Sequence, residues 1–253
     1  MIHRYNDKIF CLISLFFLLT LLASCSSYRN IRHNYISFSK HPVQGLDVSR
    51  HQGEIDWAKV STSKFTFVFI KATEGGDLVD KKFAYNFSQA RQHGFIVGAY
   101  HFFSFKRTGK EQAGNFISTV PNIPGMLPPV IDLEYMGRRN EKDSKKNLHR
   151  ELDIYIDEIE KAYNVKPILY TNYRFYRRYL EGHYIEYPIW ICDYYKLPQL
   201  PDGRSWLFWQ YSDRGKVAGI KGFVDFNVFN GKKEELMSIV QNIRNIEDDS
   251  GVW

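Results

Sequence analysis

From residue 44 onward, short apolar runs alternate with segments of helical periodicity. Runs rich in β-branched and aromatic residues at 45–49, 65–72, 95–103, 129–134, 167–172, 187–194, 207–212 and 224–229 predict eight strands. Helices fall between the early ones. A short helix is expected over 55–60. Asp80 can cap a second, in which Phe83, Phe87 and Ala90 share a face and Gly94 supplies the stop. A third covers 110–120, a fourth and longest 145–163, and a fifth 174–180. In the fourth, Leu148, Leu152, Tyr155, Ile159 and Ala162 recur at helical spacing. Three strands then follow with loops between them, and the tail over 234–246 predicts a final amphipathic helix.

This alternation predicts an α/β fold: a single (β/α) barrel of TIM type with eight strands and about five helices, the last strands lacking intervening helices. A length of 253 residues suits one such domain. The competing arrangement is an open doubly wound sheet. No glycine-rich phosphate loop follows the first strand, so nucleotide binding has no support.

The amino terminus departs from the pattern. Arg4 and Lys8 precede an apolar run from Ile9 to Leu22, too short to span a bilayer and of the length of a signal-peptide core. It ends in Leu22-Ala23-Ser24-Cys25, which resembles the lipobox of bacterial lipoproteins. The resemblance implies a leader at 1–24, a lipidated Cys25 opening a polar tether at 25–43, and a barrel domain at 44–253 in the cell envelope, anchored to a membrane. The alternative is an ordinary secretory signal with Cys25 incidental. With Cys11 in the leader and Cys25 acylated, Cys192 has no disulfide partner and reads as a small buried side chain.

Composition narrows the partners. The net charge of +6 suits a wall polymer bearing carboxylates or an anionic surface. Basic residues are scattered. Their one dense run (Arg138, Arg139, Lys142, Lys145, Lys146) is broken by Glu141 and Asp143 and reads as a solvated loop and helix start, not a nucleic-acid site. Aromatics at 16% fit either a sugar cleft, where rings stack on pyranose faces, or an aromatic core. The histidines show no paired ligand spacing, so neither metal nor cofactor is expected; His51 and His101 read as hydrogen-bonding or packing residues. No Gly-x-Ser-x-Gly elbow occurs.

Barrel chemistry sits at the carboxyl ends of strands, so the acids there are the candidates. Asp132 and Glu134 stand two apart and share one strand face, with Val130 below them and Leu133 on the other side. Two carboxyl groups side by side raise the pKa of one, as a general acid near neutral pH needs. Asp225 and Asn227 share a face of the eighth strand, and Asp47 ends the first. The alternative reading of Asp47 is a cap on the helix after it. Glu74 reads as a loop acid or a cleft residue, and Asp193 as a surface acid.

The residues then resemble a known family. Asp47-Val48-Ser49, Gln52-Gly53, Ile55-Asp56-Trp57, Phe69 to Gly75, Gly98 to Phe102, Pro129 to Glu134, Ile168 to Asn172, Trp209-Gln210-Tyr211 and Val224 to Asn227 resemble, in order, glycoside hydrolase family 25, the Chalaropsis-type lysozymes. The resemblance implies a barrel and an N-acetylmuramidase that cuts the β-1,4 bond between N-acetylmuramic acid and N-acetylglucosamine in peptidoglycan. Its acidic set falls on Asp47, Asp132, Glu134 and Asp225, with Glu134 as general acid. It favours attack by the substrate's own 2-acetamido group, assisted by Asp132 or Asp225. Tyr100, Tyr170, Trp190 and Trp209 are candidates for sugar stacking, beside Glu74 and Asn227 as further binding residues. Two departures are Cys192, where the family often has Ala, and the charged segment 138–147. Other readings of the same barrel are a silent peptidoglycan-binding lipoprotein and a wall-sugar deacetylase. A monomer is expected.

Overall fold

A computed structural model of the chain describes residues 39–135 and 145–248. The expected leader, Cys25, most of the tether and the charged loop before residue 145 lie outside the described residues.

Nine strands form one sheet: β1 (Gln44–Val48), β2 (Phe67–Glu74), β3 (Leu78–Val79), β4 (Ile96–Phe102), β5 (Val130–Leu133), β6 (Ile168–Asn172), β7 (Ile189–Cys192), β8 (Phe208–Gly215) and β9 (Val224–Phe229). Strand β1 pairs with both β2 and β9, so eight strands close a barrel and β3 is a two-residue flange on β2. The expected barrel is confirmed; the flange was not foreseen, being too short to leave a periodicity. From β1 through β8 the barrel neighbours are parallel. Strand β9 runs antiparallel to both β8 and β1. It therefore starts, not ends, at the mouth where the other strands finish.

The period-2 alternation sorts side chains into two layers. Phe67, Phe69, Val130, Ile168, Tyr170, Trp190 and Phe208 fill the barrel. Val68, Ile70, Val97, Ile131, Leu133, Leu169 and Ile191 face the surrounding helices. The filling is aromatic: Phe69 stacks on Trp190 with ring centroids 4.4 Å apart, and Phe208 meets Phe69 edge-on at 5.1 Å. Such rings leave no room for side chains on the neighbouring strands. A Cβ on Gly98 would sit 2.6 Å from the Phe69 ring and 3.1 Å from Leu127, and one on Gly45 would strike the Phe67 ring.

The helices follow the predicted order. α1 (Phe83–Gln92) ends at Gly94, whose φ of 85° is free for glycine. Asp80 does not cap it from the expected position: Lys82 is the cap residue, while Asp80 accepts the N–H groups of Lys82 (2.9 Å) and Arg50 (3.0 Å). α2 (Gly109–Thr119) opens with a reciprocal Thr108–Glu111 capping box. α3 (Lys145–Tyr163) packs against it, and Gly109 donates its N–H to Glu151 at 2.8 Å. α4 begins at Tyr173–Phe175 and continues as a widened turn through Tyr176–Leu180. The helix expected over 55–60 shrinks to one tight turn, Trp57–Lys59, because Trp57 is pulled into the core, donating to Asn86 at 3.3 Å. α5 (Lys233–Asp248) places Leu236 and Val240 against the barrel filling at the end opposite the mouth. Among the described residues no helix is long and apolar enough to cross a membrane.

The Gly98→Ala variant should lose about 1–3 kcal/mol of stability, because the ring of Phe69 has no free space to yield. A urea titration reads this as a lower midpoint with an unchanged slope.

Candidate active site

The mouth holds a pocket of about 310 Å³ lined by Asp47, Tyr100, Asp132, Glu134, Tyr170, Asn172, Trp190, Cys192, Tyr194, Gln210 and Asp225. The sheet register explains who meets whom. Asp47 of β1 lies opposite Asp225 of β9. Asp132 of β5 lies between Phe102 of β4 and Tyr170 of β6. Glu134 follows β5 by one residue and keeps the same parity as Asp132. Four carboxyl groups from three strands thus converge on one opening.

Asp47 is buried, yet one oxygen is well held. Its Oδ2 accepts from Gln210 Nε2 at 2.9 Å and from Asn227 Nδ2 at 2.8 Å. Burial raises its pKa, and these bonds and one from Asp225 oppose the rise. Asp225 is pushed up to about 9, first by burial, then by the charge of Asp47 and the bond it donates to Asp47. The two behave as one acid–carboxylate pair with Asp225 carrying the proton.

Asp132 is raised well above the usual carboxylate range by burial, then by Glu134, with Lys71 opposing. Its Oδ1 is buried and accepts no hydrogen bond. Glu134 is raised by burial, and a bond from Asn172 partly offsets this. Asn172 is itself oriented: its Oδ1 accepts the N–H of Phe175 at 3.1 Å, which turns the amide nitrogen toward Glu134. Lys71 lies beside these acids with its ammonium 2.7 Å from Glu74 Oε2 and 4.9 Å from the centre of the Phe102 ring.

Comparison with known proteins gives this geometry a family. The sequence profile of Glycosyl hydrolases family 25 matches residues 46–220, more than half of the chain. This chain belongs to that family. The uncharacterized protein YegX of Escherichia coli K12 is 42% identical over 211 residues, spanning 81% of this chain and 76% of YegX. Lysozyme M1 of Streptomyces globisporus is 33% identical over 218 residues, spanning 79% of this chain and 72% of its own. A solved family 25 glycosyl hydrolase from Bacillus anthracis superposes with a TM-score of 0.77 at 39% identity, covering 81% of this chain and 96% of that one. The profile match stops before Asp225, so the β1–β9 register, not the match, puts Asp225 in this family 25 site.

Within this family 25 pocket the eight strand ends sort the sequence candidates. Asp47, Asp132, Glu134, Asp225, Tyr100, Tyr170 and Trp190 all line it. Trp190 forms its floor, 2% exposed, clamped between Phe69 and Tyr170. Asn227 lies one layer back: it is fully buried, accepts from Trp190 Nε1 at 2.9 Å and donates to Asp47. Three candidates fall elsewhere. Trp209 is on the outer face of β8, its indole donating to the Asp193 carbonyl at 2.7 Å and its ring against Trp206, so it cannot stack on a sugar here. Glu74 is tied to Lys71 and does not line the pocket. Asp193 accepts two backbone N–H groups in the turn after β7. His101 is likewise turned away from the mouth, stacked on Tyr155 at 4.9 Å, and burial lowers its pKa to about 3. His51 lies exposed in the turn after β1.

Asn172, Tyr194, Gln210 and Cys192 line the pocket without having been singled out as site residues. Parity marks three of them: Asn172, Cys192 and Gln210 each stand two residues beyond an inward ring (Tyr170, Trp190 and Phe208) on their strands, while Tyr194 lies in the turn after β7. Gln210 Oε1 accepts from both Tyr170 (2.9 Å) and Tyr194 (3.0 Å), linking three strands behind the acids. Cys192 is only partly buried and faces the pocket, contrary to its reading as a core thiol; burial holds its pKa up at about 12, so it stays a neutral thiol.

Asp225 sets a sign for pH dependence. Folded, it keeps its proton up to about pH 9; unfolded, it releases it near pH 4. The folded chain binds more protons in that window, so stability falls as pH rises through it. Asn at this position cannot ionise and still donates toward Asp47. Asp225→Asn should therefore stabilise the fold by roughly 1–2 kcal/mol at pH 8, the gain vanishing toward pH 4 in parallel urea titrations.

Proposed function

We propose that this chain is a muramidase that hydrolyses the β-1,4 bond between N-acetylmuramic acid and N-acetylglucosamine in peptidoglycan. The observation that carries the proposal is the adjacent Asp132 and Glu134 in one mouth pocket, both with raised pKa, Asp132 having a buried oxygen without a partner. Family membership supports the reaction class, and relatives named as lysozymes support the substrate.

The chemistry follows from where protons rest. Two adjacent buried carboxyls hold one proton between them. Burial, and then the charge of Glu134, hold Asp132 well above the usual carboxylate range, and its Oδ1 has no hydrogen-bond partner. A 2-acetamido N–H placed on that oxygen stabilises the ionised form of Asp132 and leaves the proton on Glu134. Substrate binding thereby arms the general acid. Glu134 protonates the leaving glycosidic oxygen while the acetamido oxygen attacks the anomeric carbon, and Asp132 stabilises the positive charge on the acetamido group. Glu134, now ionised, takes a proton from the water that opens the cyclic intermediate. The two displacements retain configuration. Asp225, its one proton donated to Asp47, stays neutral and adds no charge to the pocket.

Glu134→Gln should lower kcat by about 10²–10⁴ while leaving the fold intact. Mass analysis of products from purified peptidoglycan checks it: muropeptides with new reducing ends support the reading. Acetate without chain cleavage would point to a deacetylase, and binding without product to a silent receptor.

We further propose that the chain is exported and anchored through a lipid on Cys25. The apolar run 9–22 and the Leu22-Ala23-Ser24-Cys25 sequence support this. Cys25→Ala should abolish labelling with a radioactive fatty acid and move the protein from the detergent to the aqueous phase on partitioning; unchanged labelling would place the lipid elsewhere.

A further inference from the structure

The rim beyond β6 and β7 carries charge that the reaction does not use. Asn172 and Tyr194 line the pocket, and the residues just after them, Tyr173 and Tyr195, do not. Tyr173 is half-buried and pinned, its hydroxyl accepting the N–H of Gln199 at 2.9 Å. Two cations flank its ring: the Arg177 guanidinium at 5.9 Å and the Lys196 ammonium at 5.8 Å from the centroid. Lys196 sits in a fixed turn, because Asp193 Oδ1 accepts the N–H groups of Tyr195 (2.8 Å) and Lys196 (3.1 Å). Arg177 and Lys196 are exposed, and among the described residues neither has a carboxylate within ion-pairing distance. Tyr195 beside them is 61% exposed.

The ring attracts each cation by only about 0.5–1 kcal/mol at an exposed site, so both charges stay available to an anion that reaches this part of the rim. We propose that Arg177 and Lys196 form a subsite for the carboxylates of the peptide stem carried by the muramic unit. The inference rests on the muramidase reading above and deepens it. The stem leaves the lactyl group of the same sugar whose bond is cut, and it carries free carboxylates. Tyr173 and Lys196 stand one and two residues beyond the pocket-lining Asn172 and Tyr194, where such a substituent would emerge. The polymer is then read twice: the sugar in the pocket, the stem on the rim.

The test compares two substrates with the full-length protein in detergent. One is peptidoglycan with intact stems; the other is the same glycan after an amidase has removed them. Arg177→Glu with Lys196→Glu should lower kcat/KM on the stem-bearing polymer by roughly five- to tenfold, mostly through KM, and leave the stripped glycan unaffected. Arg177→Gln with Lys196→Gln should show a smaller loss of the same selectivity. Raising the salt concentration should shrink the difference between unaltered and variant protein. Equal losses on both substrates, or no loss on the stem-bearing one, would overturn the subsite. Failure of the unaltered protein to cleave either substrate would instead overturn the muramidase reading.

Discussion

Asp47 and Asp225 face each other across the antiparallel β1–β9 pairing that closes the barrel, and both are too buried to be charged together. One proton between them settles the conflict. The rest of the mouth is arranged to hold that compromise. Gln210 and Asn227 both donate to the same oxygen of Asp47, which keeps the charge on β1 and the proton on β9. Each of these amides is in turn fixed by an aromatic donor, Gln210 by Tyr170 and Tyr194, Asn227 by Trp190. A carboxylate pair that unfavourable persists only inside a network where every partner has its own partner.

That network stands on the aromatic filling below it. Trp190 connects the two: its ring packs on Phe69 and its indole N–H reaches Asn227. Gly45 and Gly98 give the rings their room, so glycines without any polar atom in the site still determine where the acids sit. The same stack excludes water from beneath the carboxyls, which is why burial is the largest cause of every raised pKa in the pocket.

Much of this was legible in the residues. The alternation of apolar runs predicts the eight barrel strands, and parity places Asp132 and Glu134 together because a strand repeats every two residues. Asp225 was harder. It opens its strand, whereas the other acids close theirs, and only the reversed direction of β9 brings it to the same end. Trp209 shows the opposite error. An aromatic next to Gln210 looks like a sugar platform, but adjacent residues on a strand face opposite ways, and Gln210 takes the inward place. Cys192 sits two residues from Trp190 and so shares its inward face; apolar neighbours concealed that. The cation pair on Tyr173 brings Lys196 to a ring 23 positions before it in the chain, a contact that no local pattern records.

The reversal of β9 also governs how the domain is held. Every parallel strand enters from the base, and β9 brings the chain back there, so Val43 and the α5 residues Leu236 and Val240 meet on the same side of the barrel. His41, just before β1, already rests against Trp206 and Trp209, away from the carboxyls. Both routes into and out of the domain therefore run behind it. A pull on residues 41–43 would therefore load the base of the barrel and leave the acids at the mouth undisturbed.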